Sequence, residues 1–592
     1  MKNHIQFLLV SLLLLLSACE DPFDLTPTDI ISGSIVFEDE GLANAFLADL
    51  YERALFHYNT GQSNFEMNLI NAFGGESRNF APWQSPFGRV LDTDFNENGA
   101  GVLDHWPYNT IREANVFIEG LPQSASLDQE YITTRVSEAR FIRAWEYFQM
   151  VIRYGGVPIV TRALPAGASE EELFVARNSE QEVYDFIGAE LDEIIGVLPE
   201  QTEAGRVNRW VALALKSRAM LYAASVAKFG TPQLNGLLGI PSGQAESYYR
   251  QSLDASKEIM DNGPFTLYRK DPNPVQNFIN LFLDEDDNPE KIFVEMYDFE
   301  SGKGHNWDNT GTPAGFGFSW NSNYPVYLET LELFDFIDGT SGKVDRSIYD
   351  DATPIDPKQY FGQRDPRMRA SIFYPGAPFK GGTFYSHRST DYTDPATGQV
   401  ERTTAPGFII PGSDGWPGSG HPRHRGGNPT GLLTRKMINP ATPDGTPSST
   451  DVTIFRYGEI LLNYVEAAFY LGDPNGDMLA VINNLRDRAG MPELSADQLT
   501  QDRIRQERRV ELAFESQTFW DLRRWRIAVE ELHMVQRHRM HFRYNYDSGT
   551  YTVEIADGDL GRIRLHPEEN YYYALGLNRI ADNPMLAENP GY

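Results

Sequence analysis

Apolar side chains recur every three to four residues in several long stretches, and that period predicts amphipathic helices. The cleanest stretch is 207–227, where Val207, Trp210, Val211, Ala214, Leu215, Leu221, Tyr222 and Ser225 step by three and four. Ala212, Ala219, Ala223 and Ala224 supply small faces that let neighbouring helices approach closely. The same reading predicts helices over 41–58, 105–120, 130–153, 180–198, 245–261, 454–471 and 477–489, and a long helical run over 500–532. Tyr154-Gly155-Gly156-Val157-Pro158 and Asn262-Gly263-Pro264 are stop signals at the expected ends. The helices fall into pairs: 41–58 with 105–120, 130–153 with 180–198, 207–227 with 245–261, and 454–471 with 477–489. Helix pairs with small residues where they cross are the unit of a tetratricopeptide array. The predicted fold is therefore mainly α, with four divergent tetratricopeptide-like pairs forming a superhelical frame.

Between the third and fourth pairs the period is lost. Residues 265–450 are rich in Gly, and short β-like runs such as 292–296 alternate with turn signals. This part reads as an irregular, loop-rich inserted domain carrying short strands. Loops held on a rigid frame are where binding residues usually sit. A chain of 592 residues also predicts more than one hydrophobic core.

The first residues follow a different pattern. Lys2 precedes an apolar run over 5–16, too short to span a bilayer and of the length of a secretory signal. Leu16-Ser17-Ala18-Cys19 resembles a bacterial lipoprotein box, which makes Cys19, the single Cys of the chain, the lipid-attachment residue. Two or three acyl chains hold a protein body firmly to a membrane. The expected organisation is a signal peptide over 1–18, an acylated tether over 19–40 and an N-terminal helical frame over 41–264. That frame holds the first three pairs and a loop at 59–104. A loop-rich ligand-binding part over 265–450 and a C-terminal helical part over 451–592 complete it.

Charge narrows the function. Asp and Glu total 83 against 51 Lys and Arg, a formal charge of −32. Such a field repels phosphate backbones and excludes nucleic acid as a partner. The motifs of metalloproteases, serine hydrolases, P-loops and dinucleotide folds are missing from the sequence, and no cofactor is implied. His421/His424 and His538/His541 have ligand-like spacing, but each pair is flanked by Arg, so no metal site is assigned. Asp284-Glu285-Asp286-Asp287 lacks the Gly and alternation of a calcium loop and reads as a solvated acidic turn.

The Trp residues divide into two groups. Trp106, Trp145, Trp210, Trp520 and Trp525 lie on helical stretches and are expected in the core. Trp83, Trp307, Trp320 and Trp416 lie in loops rich in Gly, Asn and Pro. A Trp face buries on the order of 100 Å² against a sugar ring, roughly 2–3 kcal/mol gross. Asn79, Asn306, Asn321 and Asn323 stand nearby and suit hydroxyl groups.

Longer motifs carry a resemblance. They include Glu138-Ala139-Arg140-Phe141-Ile142-Arg143-Ala144, leading to Arg153-Tyr154-Gly155-Gly156-Val157-Pro158, and Phe455-Arg456-Tyr457 with Glu459-Ile460-Leu461-Leu462. Further on come Arg505-Gln506-Glu507-Arg508-Arg509-Val510-Glu511-Leu512, Phe519-Trp520-Asp521-Leu522-Arg523-Arg524-Trp525 and the terminal Asn589-Pro590-Gly591-Tyr592. Together, and nearly end to end, these resemble the SusD/RagB-like family of Bacteroidetes surface lipoproteins. The resemblance implies capture of oligo- or polysaccharide without catalysis, and delivery to a SusC-like TonB-dependent outer-membrane transporter. It also implies a lipid-anchored, surface-exposed place on the outer membrane, with the lipid as the sole membrane contact. Peptide capture on the same fold is the alternative ligand class. The implied ligand regions are the loop holding Trp83 and the stretch before 325 holding Trp307 and Trp320; Trp416 is added on composition, and Tyr324 and Asn79 as neighbours. The Arg/Glu-dense segment 504–526 is expected to be a salt-bridged frame helix.

Overall fold

Four of the long helices begin where a side chain takes free N–H groups of the first turn. Asp39 accepts from Leu42 N, Asp128 from Glu130 N, Ser179 from Glu182 N, and Asn208 from both Trp210 N and Val211 N. The computed structural model describes residues 33–54, 56–57, 68–78, 96–165, 167–317, 322–349, 352–404, 410–411 and 431–592. In chain order the helices used below are α1 Glu40–Arg53, α2 Leu69–Phe73, α3 Tyr108–Gly120, α4 Gln129–Tyr154, α5 Glu180–Ile195, α6 Arg209–Phe229, α7 Ala245–Asn262, α8 Pro274–Leu283 and α9 Trp307–Gly311. They continue as α10 Tyr457–Tyr470, α11 Met478–Arg488, α12 Gln501–Glu511, α13 Thr518–Arg524 and α14 Ala528–Leu532. No helix among the described residues is long and apolar enough to cross a membrane.

All four expected pairs form: α1 packs on α3, α4 on α5, α6 on α7, and α10 on α11. The small faces do what their size allows. Ser217 and Ser256 hydroxyls meet at 2.8 Å across α6 and α7, and Asn463 of α10 reaches Ser217 at 2.9 Å. α4 stops at Gly155, whose φ of +71° suits glycine, and a Cβ on Gly156 would lie 2.1 Å from Asn178 O.

The strands are short and mostly local. β1 Lys291–Glu295 pairs antiparallel with β6 Val452–Arg456, so residues 454–456, expected to begin a helix, instead finish a strand. β2 Ile372–Phe373 pairs with β5 Leu433–Thr434. A four-stranded sheet has the order β8 Thr550–Asp557, β7 His538–Asn545, β3 Ser389–Thr393, β4 Val400–Thr403. Helix α8 lies in the part read as irregular, and its N-terminus is capped by Asn273.

One hydrophobic cluster runs from Phe37 to Leu586 and takes in Trp145, Phe293, Phe373, Phe455 and Tyr573, with three small satellites beside it. The loop-rich part thus shares its core with the helical frame, and the expectation of several separate cores is corrected. The chain's texture changes at 265 and 450; its core does not.

The run over 500–532 is not one helix. It breaks into α12, α13 and α14, with Phe514, Ser516 and Arg526 at φ of +62°, +59° and +56°. At the first break, Phe514 N donates to Glu76 at 3.1 Å and Ser516 N to Asn71 Oδ1 at 2.9 Å. Continuing the helix would forfeit both bonds to α2 and the turn after it.

The charges of this segment are buried rather than laid along a solvent face. Glu511 accepts from Arg367 at 2.9 Å, from Arg456 at 2.8 Å and from Arg488. Glu290 binds Arg456 and Arg488 at 2.8 and 3.2 Å. Glu507 joins Arg367 and Arg486 at 2.6 and 2.7 Å, and Glu515 joins Arg456 and Lys436 at 2.7 and 2.6 Å. With Asp365 on Arg367 at 2.7 Å, carboxylates and cations match one for one. A second group links Arg508 and Arg524 to Asp521, and Arg524 to Glu466.

Removing one partner from a buried ionic network costs about 3–5 kcal/mol. Glu511→Gln is therefore expected to lower the urea midpoint by an amount of that order; an unchanged midpoint would show that the network adds no net stability. Burial works to raise the carboxyls of Glu507, Glu511 and Glu515, but the adjoining cations outweigh it and hold all three below the ordinary 4.5. The unfolded chain then takes up these protons first. Stability from this source is complete above pH 4.5 and is lost as pH falls through the lowered native values. Urea midpoints measured at descending pH check this, and a flat profile would contradict it.

Candidate functional site

α2 is buried at every position and packs on α13, with the rings of Phe73 and Phe519 at 5.4 Å. The chain leaves it through Gly74, Gly75 and Glu76 into an extended stub at Ser77 and Arg78. Ser77 forms an antiparallel bridge with Val326, and Arg78 N donates to Pro325 O at 2.7 Å. On the other side of that segment, Val326 N donates to Leu432 O at 3.1 Å and Thr434 N to Tyr324 O at 2.9 Å. β5 then pairs with β2. Four extended segments therefore lie side by side in the order 77–78, 324–326, 432–434, 372–373.

Three of these four segments are the described ends of the stretches that carry the loop Trp residues. Arg78 precedes the stretch with Asn79 and Trp83, Ser322 follows the one with Trp320, and Gly431 follows the one with Trp416. Trp83, Asn79, Trp320, Trp416, Asn321 and Cys19 lie outside the described residues, as do His421 and His424.

Trp307 and Tyr324 lie within the described residues, and the expectation for them is corrected. Trp307 is 2% exposed and Tyr324 1%. Their rings stack at 4.4 Å and 20°. Trp307 Nε1 donates to Lys436 O at 3.0 Å, and the Tyr324 hydroxyl meets Thr310 Oγ1. Neither ring has a free face for a sugar; together they fasten α9 to the segment beside β5. Asn323 is equally buried, its amide donating to Thr310 O at 3.1 Å. Of the helical Trp residues, Trp145, Trp210, Trp520 and Trp525 are buried. Trp106 is only half-buried, under the Arg579 guanidinium at 4.8 Å, and lines a cavity of about 540 Å³ with Tyr108 and Leu586.

His538 and His541 are three apart on a strand and so point to opposite faces. His538 binds Glu329 at 2.6 Å; His541 lies 3.8 Å from Glu554. In the acidic turn, Asp284 is held by Lys270 and by the Tyr268 hydroxyl, both at 2.8 Å. No group of three or more His, Cys, Asp or Glu among the described residues is arranged to hold a metal ion.

Glu76 was not singled out from the sequence. It is 1% exposed and accepts from Phe514 N at 3.1 Å and Thr518 Oγ1 at 2.9 Å. Burial pushes its carboxyl up to about 7, against the opposing pull of Thr518 and Phe514. The signal for it was a polar Glu-Ser-Arg triplet following two glycines in a region otherwise read as loop.

The fold that holds this layer is shared with other proteins. A model described as "SusD family" matches residues 289–592, and one described as "Starch-binding associating with outer membrane" matches 83–221. The chain belongs to the SusD family. A SusD-like protein of Bacteroides ovatus is 23% identical over 86% of this chain and 80% of its own length. A solved SusD-like protein of Bacteroides fragilis is 24% identical, with a TM-score of 0.71, over 94% of this chain and 98% of that one. A SusD-like carbohydrate-binding protein of the same species is 21% identical, with a TM-score of 0.69, over 93% and 100%. Placed on this SusD-family chain, the motifs around 138–158 and 504–525 are frame motifs, made of interior side chains.

Glu76 supplies a test of the layer's electrostatics. Its native pKa lies above the unfolded 4.5, so the unfolded chain releases the proton first as pH rises. Stability is expected to decline between pH 4.5 and about 7 and then level off. Glu76→Gln keeps a neutral acceptor for Phe514 and Thr518 and should remove that slope. It should leave the protein more stable than wild type at alkaline pH by roughly 3 kcal/mol. Identical pH profiles for the two proteins would refute the assignment.

Proposed function

We propose that this SusD-family chain is a non-catalytic glycan-binding lipoprotein of the outer-membrane surface, anchored through Cys19. It captures oligo- or polysaccharide on Trp83, Trp320 and Trp416, with Asn79 beside them, and passes it to a SusC-like TonB-dependent transporter. The observation that carries this reading is the common origin of the three Trp stretches. Arg78, Pro325–Val326 and Leu432 are hydrogen-bonded neighbours. Trp83 is five residues from Arg78, a covalent reach of at most roughly 17 Å, and Trp320 is two residues from Ser322, at most roughly 7 Å. These two rings, tethered so close to adjoining anchors, suit a chain ligand, which offers several sugar faces in a row; Trp416, fifteen residues from Gly431, has a longer reach of roughly 50 Å. The carbohydrate-binding description of one structural relative and the starch-binding description of the N-terminal match support the same class of ligand.

Affinity electrophoresis of the protein from residue 20 onward, in gels containing plant, algal and microbial polysaccharides, tests the reading. One class of gel is expected to retard it. Trp83→Ala, Trp320→Ala or Trp416→Ala should then weaken retention roughly tenfold or more, as the loss of a 2–3 kcal/mol stacking contact requires, with the urea midpoint unchanged. Trp307→Ala should behave differently, lowering the urea midpoint by about 3–5 kcal/mol-equivalent because it empties a core site. Full retention in all three loop variants would overturn the assignment.

A further inference from the structure

The outward face of the four-stranded sheet carries an unpaired cationic group next to the Trp anchors. Along β7, Met540, Phe542 and Tyr544 are buried while Arg539, His541 and Arg543 alternate onto the other face. The residue opposite Arg539 on β8 is Ala556, which brings no charge. Arg539 is half-buried, and its Nε and Nη1 have no hydrogen-bond partner among the described residues. The acids nearest it are engaged elsewhere. Asp557 accepts from Asp559 N at 2.9 Å and from Gly561 N, and Glu554 faces His541.

Two further arginines stand close. Arg388 is exposed, and its backbone N donates to Phe542 O at 2.9 Å on β7. Arg78 donates through Nη1 to Gly558 O at 2.7 Å, and its Nε is buried without a partner among the described residues. Burial, then the charges of Arg388 and Arg78, push the Arg539 guanidinium down to about 10, against the opposing pull of Asp557 and Glu554. None of the three forms an ion pair with a carboxylate among the described residues, in a chain whose net charge is −32. Other buried arginines are matched by carboxylates, as in the Glu511 network, or by backbone carbonyls, as Arg153, Arg177 and Arg364 are. Arg539 has neither among the described residues, which is costly unless an anion arrives.

The place is also specific. Arg78 is the residue from which the Trp83 stretch departs. Gly431, where the Trp416 stretch returns, packs so tightly on β7 that a Cβ there would lie 2.2 Å from Met540 O. We infer that Arg539, with Arg388 and Arg78, binds the anionic group of a charged glycan, a uronic carboxylate or a sulfate ester. Both are planar or tripodal oxyanions that a guanidinium grips through two parallel hydrogen bonds. This inference rests on the glycan reading above and adds to it the class of sugar.

Affinity electrophoresis in polygalacturonate, a sulfated galactan and neutral laminarin separates the two sources of anion from each other and from a neutral ligand. Wild type should be retained by one of the two anionic gels, less so as salt is raised. Arg539→Gln and Arg388→Gln should each weaken that retention about tenfold or more, the scale of a lost charge-assisted pair. Arg388 is exposed, so its replacement leaves the fold intact, and Arg539→Gln should not lower the urea midpoint because the Arg539 side chain makes no hydrogen bond or ion pair among the described residues. Retention by laminarin alone, abolished by Trp320→Ala, would overturn the anionic inference while leaving glycan capture standing. So would anionic retention that both Arg variants preserve. Absence of retention on every gel would overturn both.

Discussion

The carboxylate of Glu511 is the point on which the interior turns. It lies between Arg367, Arg456 and Arg488, which come from a short helix of the loop-rich part, the end of β6 and the end of α11. A buried charge without a partner is far more costly than a missing apolar contact. The network therefore works less as glue than as a constraint: every segment that contributes a charge must arrive in register, or its neighbours are left unpaired. Hydrophobic burial drives the helices together, but it is non-directional. The ionic cluster supplies the direction.

That constraint extends to the candidate site through Lys436. Its ammonium binds Glu515 and the carbonyls of Glu511 and Ala513, while its own carbonyl accepts from the Trp307 indole. Lys436 follows β5 by two residues, so the interior network fixes one edge of the layer of extended stubs. Glu76 fixes the other edge, taking Phe514 N and Thr518 Oγ1 from the break between α12 and α13. The break in the long C-terminal helical run and the anchoring of the first Trp stretch are thus one event. The chain gives up a turn of helix to hold a loop base.

The helix pairs were legible because a period of 3.6 is a local property, and small residues at 212, 219 and 223 mark where helices cross. The ionic network was not. Arg and Glu alternating along 504–526 have the composition of a solvated, salt-bridged helix. Only partners far away in the chain, such as Arg367 and Glu290, turn them inward. The positive φ at Phe514 and Ser516 was hidden for the same reason, since Glu76 and Asn71 lie more than 400 residues earlier. The β7–β8 hairpin corrects the reading of 451–592 as helical; the alternation of Met540, Phe542 and Tyr544 before the turn-forming Asp547-Ser548-Gly549 was the strand signal. Trp307 was misjudged because Gly and Asn around it match those around Trp320, while burial depends on Tyr324 and Lys436 arriving beside it.

The proposed glycan capture sets a requirement on how the layer has to be built. A glycan held at millimolar Kd supplies only about 4 kcal/mol. Ordering even a few backbone residues costs about 1–2 kcal/mol each. A ligand of that strength cannot assemble its own site, so the ends of the ligand-bearing stretches must be fixed before it arrives. The layer formed by 77–78, 324–326, 432–434 and 372–373 meets that requirement, because each member is hydrogen-bonded to the next and tied through Glu76 or Lys436 to a charge-matched interior. On the proposed glycan reading, variation in the Trp stretches would change which sugar is held without touching the frame. Substitutions in the frame motifs, by contrast, strand a buried charge.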